Sequence, residues 1–92
     1  MGCTEREWLG WLPAAIGEHR WHPDAAGVHI EIQQEDQTLG HLRITWRVGE
    51  PRVIALARIP RLLVDFAFEG LNEAQRYRFM RRFDLYMQRG GG

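Results

Sequence analysis

Two short segments in which apolar and polar residues alternate strictly constrain this chain more than any other feature. Their apolar positions are Val28, Ile30 and Ile32 in the first segment and Leu42, Ile44, Trp46 and Val48 in the second. Successive side chains of a β-strand point to opposite faces, so each segment predicts a strand with one buried face. The polar residues 34–38 between them predict a turn, and we expect the two strands to pair as a hairpin. Because both apolar sets occupy even positions, odd residues must pair with odd residues.

This register predicts a polar cluster on the exposed face, with His29 and Glu31 on one strand opposite or diagonal to His41 and Arg43 on the other. The preceding segment, 17–27, predicts a loop, and its candidate metal ligands are His19, His22 and Asp24. Imidazole and carboxylate groups suit zinc, nickel or iron. No second paired motif supplies the remaining ligands of a tetrahedral metal site. This favours the alternative in which the histidines are solvated loop residues and Asp24 bonds its own backbone.

Two further segments predict the third and fourth strands of the sheet, over 52–59 and 62–68. Unlike the hairpin, both are apolar or nearly so on both faces, which is typical of strands covered on both sides. We expect the C-terminal helix to cover the even-numbered side of the fourth strand. The candidate protein-interface residues are Ile54, Leu56, Leu63 and Ala67. Either the N-terminal helix covers this region or a partner does, since a large exposed apolar patch on a small protein usually marks an interface.

Helices are predicted at both ends of the chain. Thr4 and Glu7 have the spacing of a capping box, which predicts a helix start at that point. Pro13 lacks the amide donor that an interior helical position needs, so this helix either ends near Leu12 or kinks and continues to Ile16. The second helix runs from about Asn72 to a stop at Gly90, with the apolar stripe Phe79, Met80, Phe83, Tyr86 and Met87.

Together these segments predict an α+β fold: a four-stranded antiparallel meander flanked by an N-terminal and a C-terminal helix, in the order α-β-β-β-β-α. No repeat or internal linker divides the chain, so we predict one domain over 1–92, with residues 1–4 and 90–92 frayed. Apolar runs such as 53–57 are far shorter than the roughly 20 residues that a membrane-spanning helix needs. The single cysteine, Cys3, excludes an internal disulfide and favours a cytoplasmic protein.

The composition excludes several kinds of catalysis. The chain contains no lysine and no serine, so a serine nucleophile, a Schiff-base lysine and a Walker A phosphate loop are all ruled out. All twelve basic residues are arginine, which is typical of a bacterial-like genome whose codon usage favours arginine. Residues 1–36 contain seven acids and two arginines, whereas residues 37–92 contain ten arginines and five acids. These opposite charges can neutralise each other within the fold or between copies of the chain.

The last helix carries arginines away from its apolar stripe: Arg78, Arg81, Arg82 and Arg89. Guanidinium groups on one helical face can contact successive phosphates, and Tyr77 or Trp21 would stack on bases. The neutral net charge and the lack of an RNA-recognition signature favour a solvated helix face instead.

From these features we predict a small non-enzymatic protein-binding or assembly module, either a homodimer or an adaptor for another protein. The first alternative is an RNA- or DNA-binding accessory domain that uses the arginine-rich helix. The second is a metal site or a histidine-dependent activity at His19, His22 and Asp24, with Asp24 orienting His22 as a general base. No catalytic constellation and no cofactor motif is recognisable, which places the enzyme hypothesis last.

Overall fold

The computed structural model describes the backbone of residues 1–91 and the side chains of residues 1–88. Its elements are α1 (Glu5–Ile16), β1 (Arg20–Pro23), β2 (Gly27–Gln34), β3 (Gln37–Val48), β4 (Arg52–Ile54), β5 (Ala57–Ile59), β6 (Leu62–Glu69) and α2 (Glu73–Gly91). A four-stranded antiparallel sheet has the order β1-β2-β3-β6, and β4 pairs only with β5. The predicted α+β fold, a four-stranded antiparallel sheet with a helix at each end, is confirmed.

Two details of the strand prediction are wrong. The segment 17–27, predicted as a loop, contains β1, which forms one edge of the sheet beside β2. The segment 52–59, predicted as one sheet strand, instead turns back on itself so that Ile54 pairs with Ala57. Ala55 permits this reversal by adopting a φ of 54°, in the left-handed region that non-glycine residues seldom occupy.

The predicted hairpin register is confirmed. Val28 pairs with Ile44 and Ile30 with Leu42, so the even-numbered apolar side chains share one face. On the other face His29 lies opposite Arg43, and Glu31 lies opposite His41, as the even positions of the apolar residues require. A register shift follows Ile32, close to the turn that links the two strands.

Both helices pack on the even-numbered face of the sheet. The core consists of Cys3, Trp8, Leu12, Ala15, Ile16, Val28, Ile30, Ile32, Leu42, Ile44, Leu62, Phe79, Phe83 and Met87. Trp8 of α1 joins the layers because its ring meets Trp46 of β3 and Phe83 of α2 edge-on, at centroid distances of 5.6 and 5.8 Å. The interpretation in which α1 covers the second face beside Leu63 is therefore wrong. That face, called the open face below, carries the odd-numbered residues of β2, β3 and β6 together with His22 of β1, and no helix packs on it.

The N-terminal helix begins as its sequence predicts. Thr4 Oγ1 accepts from the Glu7 amide at 3.1 Å, and Glu7 Oε1 accepts from the Thr4 amide at 3.0 Å, which completes the capping box. Of the two predicted ends, the later one is confirmed, because α1 passes through Pro13 and ends at Ile16. No helix within residues 1–91 is both long enough and apolar enough to cross a membrane.

A candidate protein interface

The segment 49–61, called the arm below, extends the sheet beyond its helix-covered part. The Gly49 amide donates to the Arg61 carbonyl at 2.9 Å, next to the last β3–β6 pair, Val48 with Leu62. From there β4 and β5 continue as a two-stranded ribbon. Every residue from 50 to 61 is exposed. The arm is thus tied to the sheet by backbone pairing rather than by a shared core.

Apolar side chains are concentrated on this exposed ribbon and at its base: Val48, Val53, Ile54, Leu56 and Ile59. Leu56, at the tip, is fully exposed, and Val53 is 65% exposed. Burying one such side chain is worth about 1.5–3 kcal/mol, and the folded chain forgoes that gain at each position. A concentration of exposed apolar side chains in one segment is typical of an interaction surface.

The four predicted interface residues have different surroundings. Ile54 and Leu56 lie on the arm and are exposed, and Ala67 is exposed on the open face. Leu63 is half-buried beneath Gly49, where a Cβ on the glycine would lie 3.2 Å from the Leu63 Cγ. Three of these four side chains are therefore accessible.

The outer edge of β6 is the second element of the candidate interface. On one side β6 pairs with β3 along its whole length. On the other side Met1 pairs with Leu62 alone, because the Leu62 amide donates to the Met1 carbonyl at 2.7 Å and the Met1 amino group donates to the Leu62 carbonyl. The chain start, predicted as frayed, thus covers only the first residue of this edge.

The buried thiol of Cys3 adds a packing contact at the same end. Cys3 is 5% exposed and belongs to the core cluster. Burial raises its pKa, opposed by the nearby amino terminus and assisted by Glu7. The protonated thiol is the form that suits an apolar site, and it is a poor nucleophile.

The open face of the sheet holds polar side chains that bond one another in pairs. His22 Nε2 lies 2.8 Å from Glu31 Oε2, and His29 Nε2 lies 2.9 Å from His41 Nδ1. The His29 and His41 rings are stacked, with centroids 5.0 Å apart. In the hydrogen bond between His29 and His41, one ring nitrogen donates and the other accepts. Because a protonated imidazole has no acceptor nitrogen, this bond requires that at least one of the two rings is neutral.

The structure does not bring the candidate metal ligands together. His19 Nδ1 accepts from the Gln33 amide at 2.9 Å, and its ring lies 5.6 Å from that of Phe79. His22 instead bonds Glu31, while Asp24 bonds Arg43. Within the described part of the chain, no group of three or more His, Cys, Asp or Glu side chains is placed to hold a metal ion. His19, His22 and Asp24 therefore do not share one site.

The surroundings of His19 favour its neutral form. Burial is the main cause that lowers its pKa, the positive charge of Arg82 adds to the effect, and Glu18 opposes it. His19 also lies between two adjoining grooves, of about 650 and about 230 Å³, that share Gln33 and Arg82 in their walls. Glutamate and aspartate side chains line the larger groove together with the arginine.

The arginines of α2 do not form one uniform surface. Arg78 Nη1 donates to Gln34 Oε1 at 3.4 Å, whereas the Arg82 guanidinium lies 4.6 Å from the centre of the Tyr86 ring. Arg81 is exposed, and the side chain of Arg89 lies outside the described residues. Tyr77, beside them on the helix, is 67% exposed.

No family model, curated protein or solved structure matches this chain. The arm, the edge of β6 and the distribution of charge are the features of the structure that bear on its function.

Proposed function

We propose that this chain is a non-enzymatic assembly module that binds a second copy of itself through the arm and the adjoining edge of β6. The observation that carries the proposal is the exposure of apolar side chains on the arm, including Val53, Ile54 and Leu56. A second supporting feature is the outer edge of β6, since edge strands readily pair with another chain. The two features are continuous, because β6 follows the arm directly.

Charge favours a second copy as the partner. The arm contains three arginines, Arg52, Arg58 and Arg61, against one acid, Glu50. Because the whole chain has a formal net charge of zero, the remainder carries an excess of two negative charges over positive ones. The arm of one copy is therefore attracted to the body of another, and such complementarity guides both encounter and orientation. A cytoplasmic setting, in which Cys3 stays reduced, belongs to the same proposal.

Sedimentation velocity over a wide concentration range tests this function. The variant Val53→Thr, Ile54→Thr, Leu56→Thr keeps β-branched side chains at strand positions 53 and 54 and removes apolar surface at all three positions. We expect the wild type to dimerise and this variant to associate at least tenfold more weakly. Leu9→Gln, at a 49% exposed position on α1, is the matched control and should dimerise like the wild type. A wild type that stays monomeric, or an arm variant that associates normally, would overturn the proposal.

The second candidate is nucleic-acid binding by α2. The exposure of Tyr77 beside Arg78 and Arg81 favours it, because an accessible ring can stack on a base while guanidinium groups contact phosphates. The test is filter binding to single-stranded RNA and DNA at low salt, where phosphate contacts are strongest. Binding should fall in the Arg78→Gln, Arg81→Gln variant. No binding by the wild type at low salt would contradict this candidate.

A further inference from the structure

The backbone amide and carbonyl groups of β6 point to one side of the strand at even residues and to the other side at odd residues. Leu62 directs its amide and carbonyl outward, towards Met1. Hydrogen-bonding directions alternate from residue to residue along a strand, so Val64, Phe66 and Phe68 also direct these groups away from β3. Leu63, Asp65 and Ala67 direct theirs inward, towards β3. Beyond Leu62 the outer edge therefore offers a row of three residues whose backbone groups can pair with another strand.

We infer that two copies of the chain join by antiparallel pairing of their β6 edges, with Phe66 of one copy opposite Phe66 of the other. This inference rests on the proposed self-assembly and specifies the contact that produces it. In this register Val64 of each copy pairs with Phe68 of the other, so all three outward residues find a partner. The product is one continuous sheet in which β6 is no longer an edge.

Neighbouring symmetric registers are less favourable. Pairing centred on Val64 would require the outward groups of Leu62, which Met1 already occupies. Pairing centred on Asp65 would set two carboxylates directly opposite each other, which is destabilising. Pairing centred on Ala67 would match Val64 with Gly70, beyond the end of β6. The Phe66 register forms its three pairs without using Leu62 or Gly70, and it places Asp65 opposite Ala67 of the second copy.

The side chains at this edge also benefit from pairing. Val64, Phe66 and Phe68 are only half-buried on the helix-covered face, although their strand neighbours in β3 include the fully buried Leu42 and Ile44. A second β6 alongside would cover their remaining exposed surface. Aromatic pairs across neighbouring strands are favourable relative to a pair of alanines.

The same register brings the base of the arm close to an acidic residue of the second copy. Counted outward from Phe66, Leu63 of one copy lies level with Glu69 of the other, the last residue of that copy's β6. Glu69 is exposed. Arg61, two residues before Leu63, is therefore brought near a side chain of opposite charge.

Cysteine cross-linking tests the register. Asp65→Cys, Ala67→Cys places thiols at two exposed positions of the open face that face each other across the proposed contact. Under mild oxidation near the dissociation constant, we expect this double variant to form a covalent dimer. Asp65→Cys alone and Ala67→Cys alone should not form a covalent dimer. In either single variant the two thiols, one from each copy, lie diagonal to each other rather than directly opposite. The native Cys3 is present in every variant, and the wild type gives the background.

Amide hydrogen exchange provides a second test without mutation. The amides of Val64, Phe66 and Phe68 should exchange at least tenfold more slowly when the protein is mostly dimeric than when it is monomeric. The amides of Leu63, Asp65 and Ala67 should be protected at both concentrations, because they bond β3.

The outcomes separate this inference from the function on which it rests. A protein that remains monomeric by sedimentation overturns self-assembly and the edge contact together. A protein that dimerises without concentration-dependent protection at the three outward amides overturns the edge contact alone. The same conclusion follows if the double variant fails to cross-link or if either single variant cross-links as well as the double variant does.

Discussion

Both carboxylate oxygens of Asp24 accept hydrogen bonds from the guanidinium of Arg43, at 2.8 and 3.2 Å. The same carboxylate accepts from the backbone amides of Ala26 and Gly27, each at 2.9 Å. The side-chain bond from Arg43 is the largest cause that lowers the pKa of Asp24 from 3.8 to about 2, and the two backbone donors add to it. One carboxylate thus connects the β1–β2 turn to β3, in addition to the backbone bonding that the sequence predicts.

Arg43→Gln should raise the pKa of Asp24 towards 3.8, which carboxyl carbon chemical shifts would measure directly. A carboxylate with a lowered folded-state pKa stabilises the fold above its unfolded value and loses that contribution as the pH falls. For Asp24 the loss occurs between about pH 4 and pH 2, and it should be smaller in the variant. Urea midpoints across this range provide the stability measurement. Arg47→Gln, on the same strand, is the control, and an Asp24 titration that Arg43→Gln leaves unchanged would contradict the prediction.

His19 should make the fold less stable as the pH falls below 6.5. Burial lowers its folded-state pKa, so between 6.5 and that lower value the unfolded chain binds a proton that the folded chain does not. Its contribution is complete above pH 6.5. His19→Gln retains a side-chain acceptor for the Gln33 amide but does not titrate. We expect the wild type to lose more free energy of unfolding than this variant between pH 7.5 and pH 5.5, and equal losses would count against the assigned environment.

Two glycine substitutions should have opposite effects. A Cβ at Gly10, within α1, meets no atom within 4 Å, so Gly10→Ala should stabilise the fold by about 0.5–1 kcal/mol through helix propensity. A Cβ at Gly27 would lie 2.0 Å from the Ile44 carbonyl oxygen, so Gly27→Ala must separate β2 from β3. We expect a loss of at least about 2 kcal/mol there. Urea unfolding measures both changes, and a neutral Gly27→Ala would show that the strands approach less closely.

Trp8 should be among the most sensitive positions in α1. Its side chain is 0% exposed, and truncation to alanine leaves a cavity between both helices and the sheet. The expected loss is about 3–5 kcal/mol. The neighbouring Leu9, which is half-exposed, provides the matched control, and Leu9→Ala should cost less than about 1 kcal/mol. Similar effects at the two positions would mean that α1 packs in a different orientation.

The elements that depend on local chemistry could be predicted from the sequence. Thr4 and Glu7 specify the helix start through two hydrogen bonds within one turn. The β2–β3 register follows from the shared parity of their apolar positions, because a shift by one residue would expose an entire hydrophobic face. Asp24 bonds nearby backbone amides, as its place after Pro23 suggests.

The arm could not be predicted, because its sequence has the same pattern as a fully buried strand. Apolar residues on both faces indicate either cover on both sides or exposure on both sides, and only the surrounding fold distinguishes the two. No glycine, asparagine or aspartate marks its turn, since Ala55 adopts the left-handed conformation instead. For His19 and His22, nearness in sequence suggested a shared site. The intervening start of β1 gives them different partners, Gln33 and Glu31.

The separation of the arm from the core has an evolutionary consequence. The β3–β6 ladder is complete at Val48 and Leu62, so the residues that stabilise the fold lie almost entirely outside the segment 49–61. Substitutions, insertions or a wholly different hairpin in that segment would leave folding nearly untouched. Homologous proteins can therefore evolve new binding properties through changes in the arm, without a loss of stability that other substitutions would have to restore.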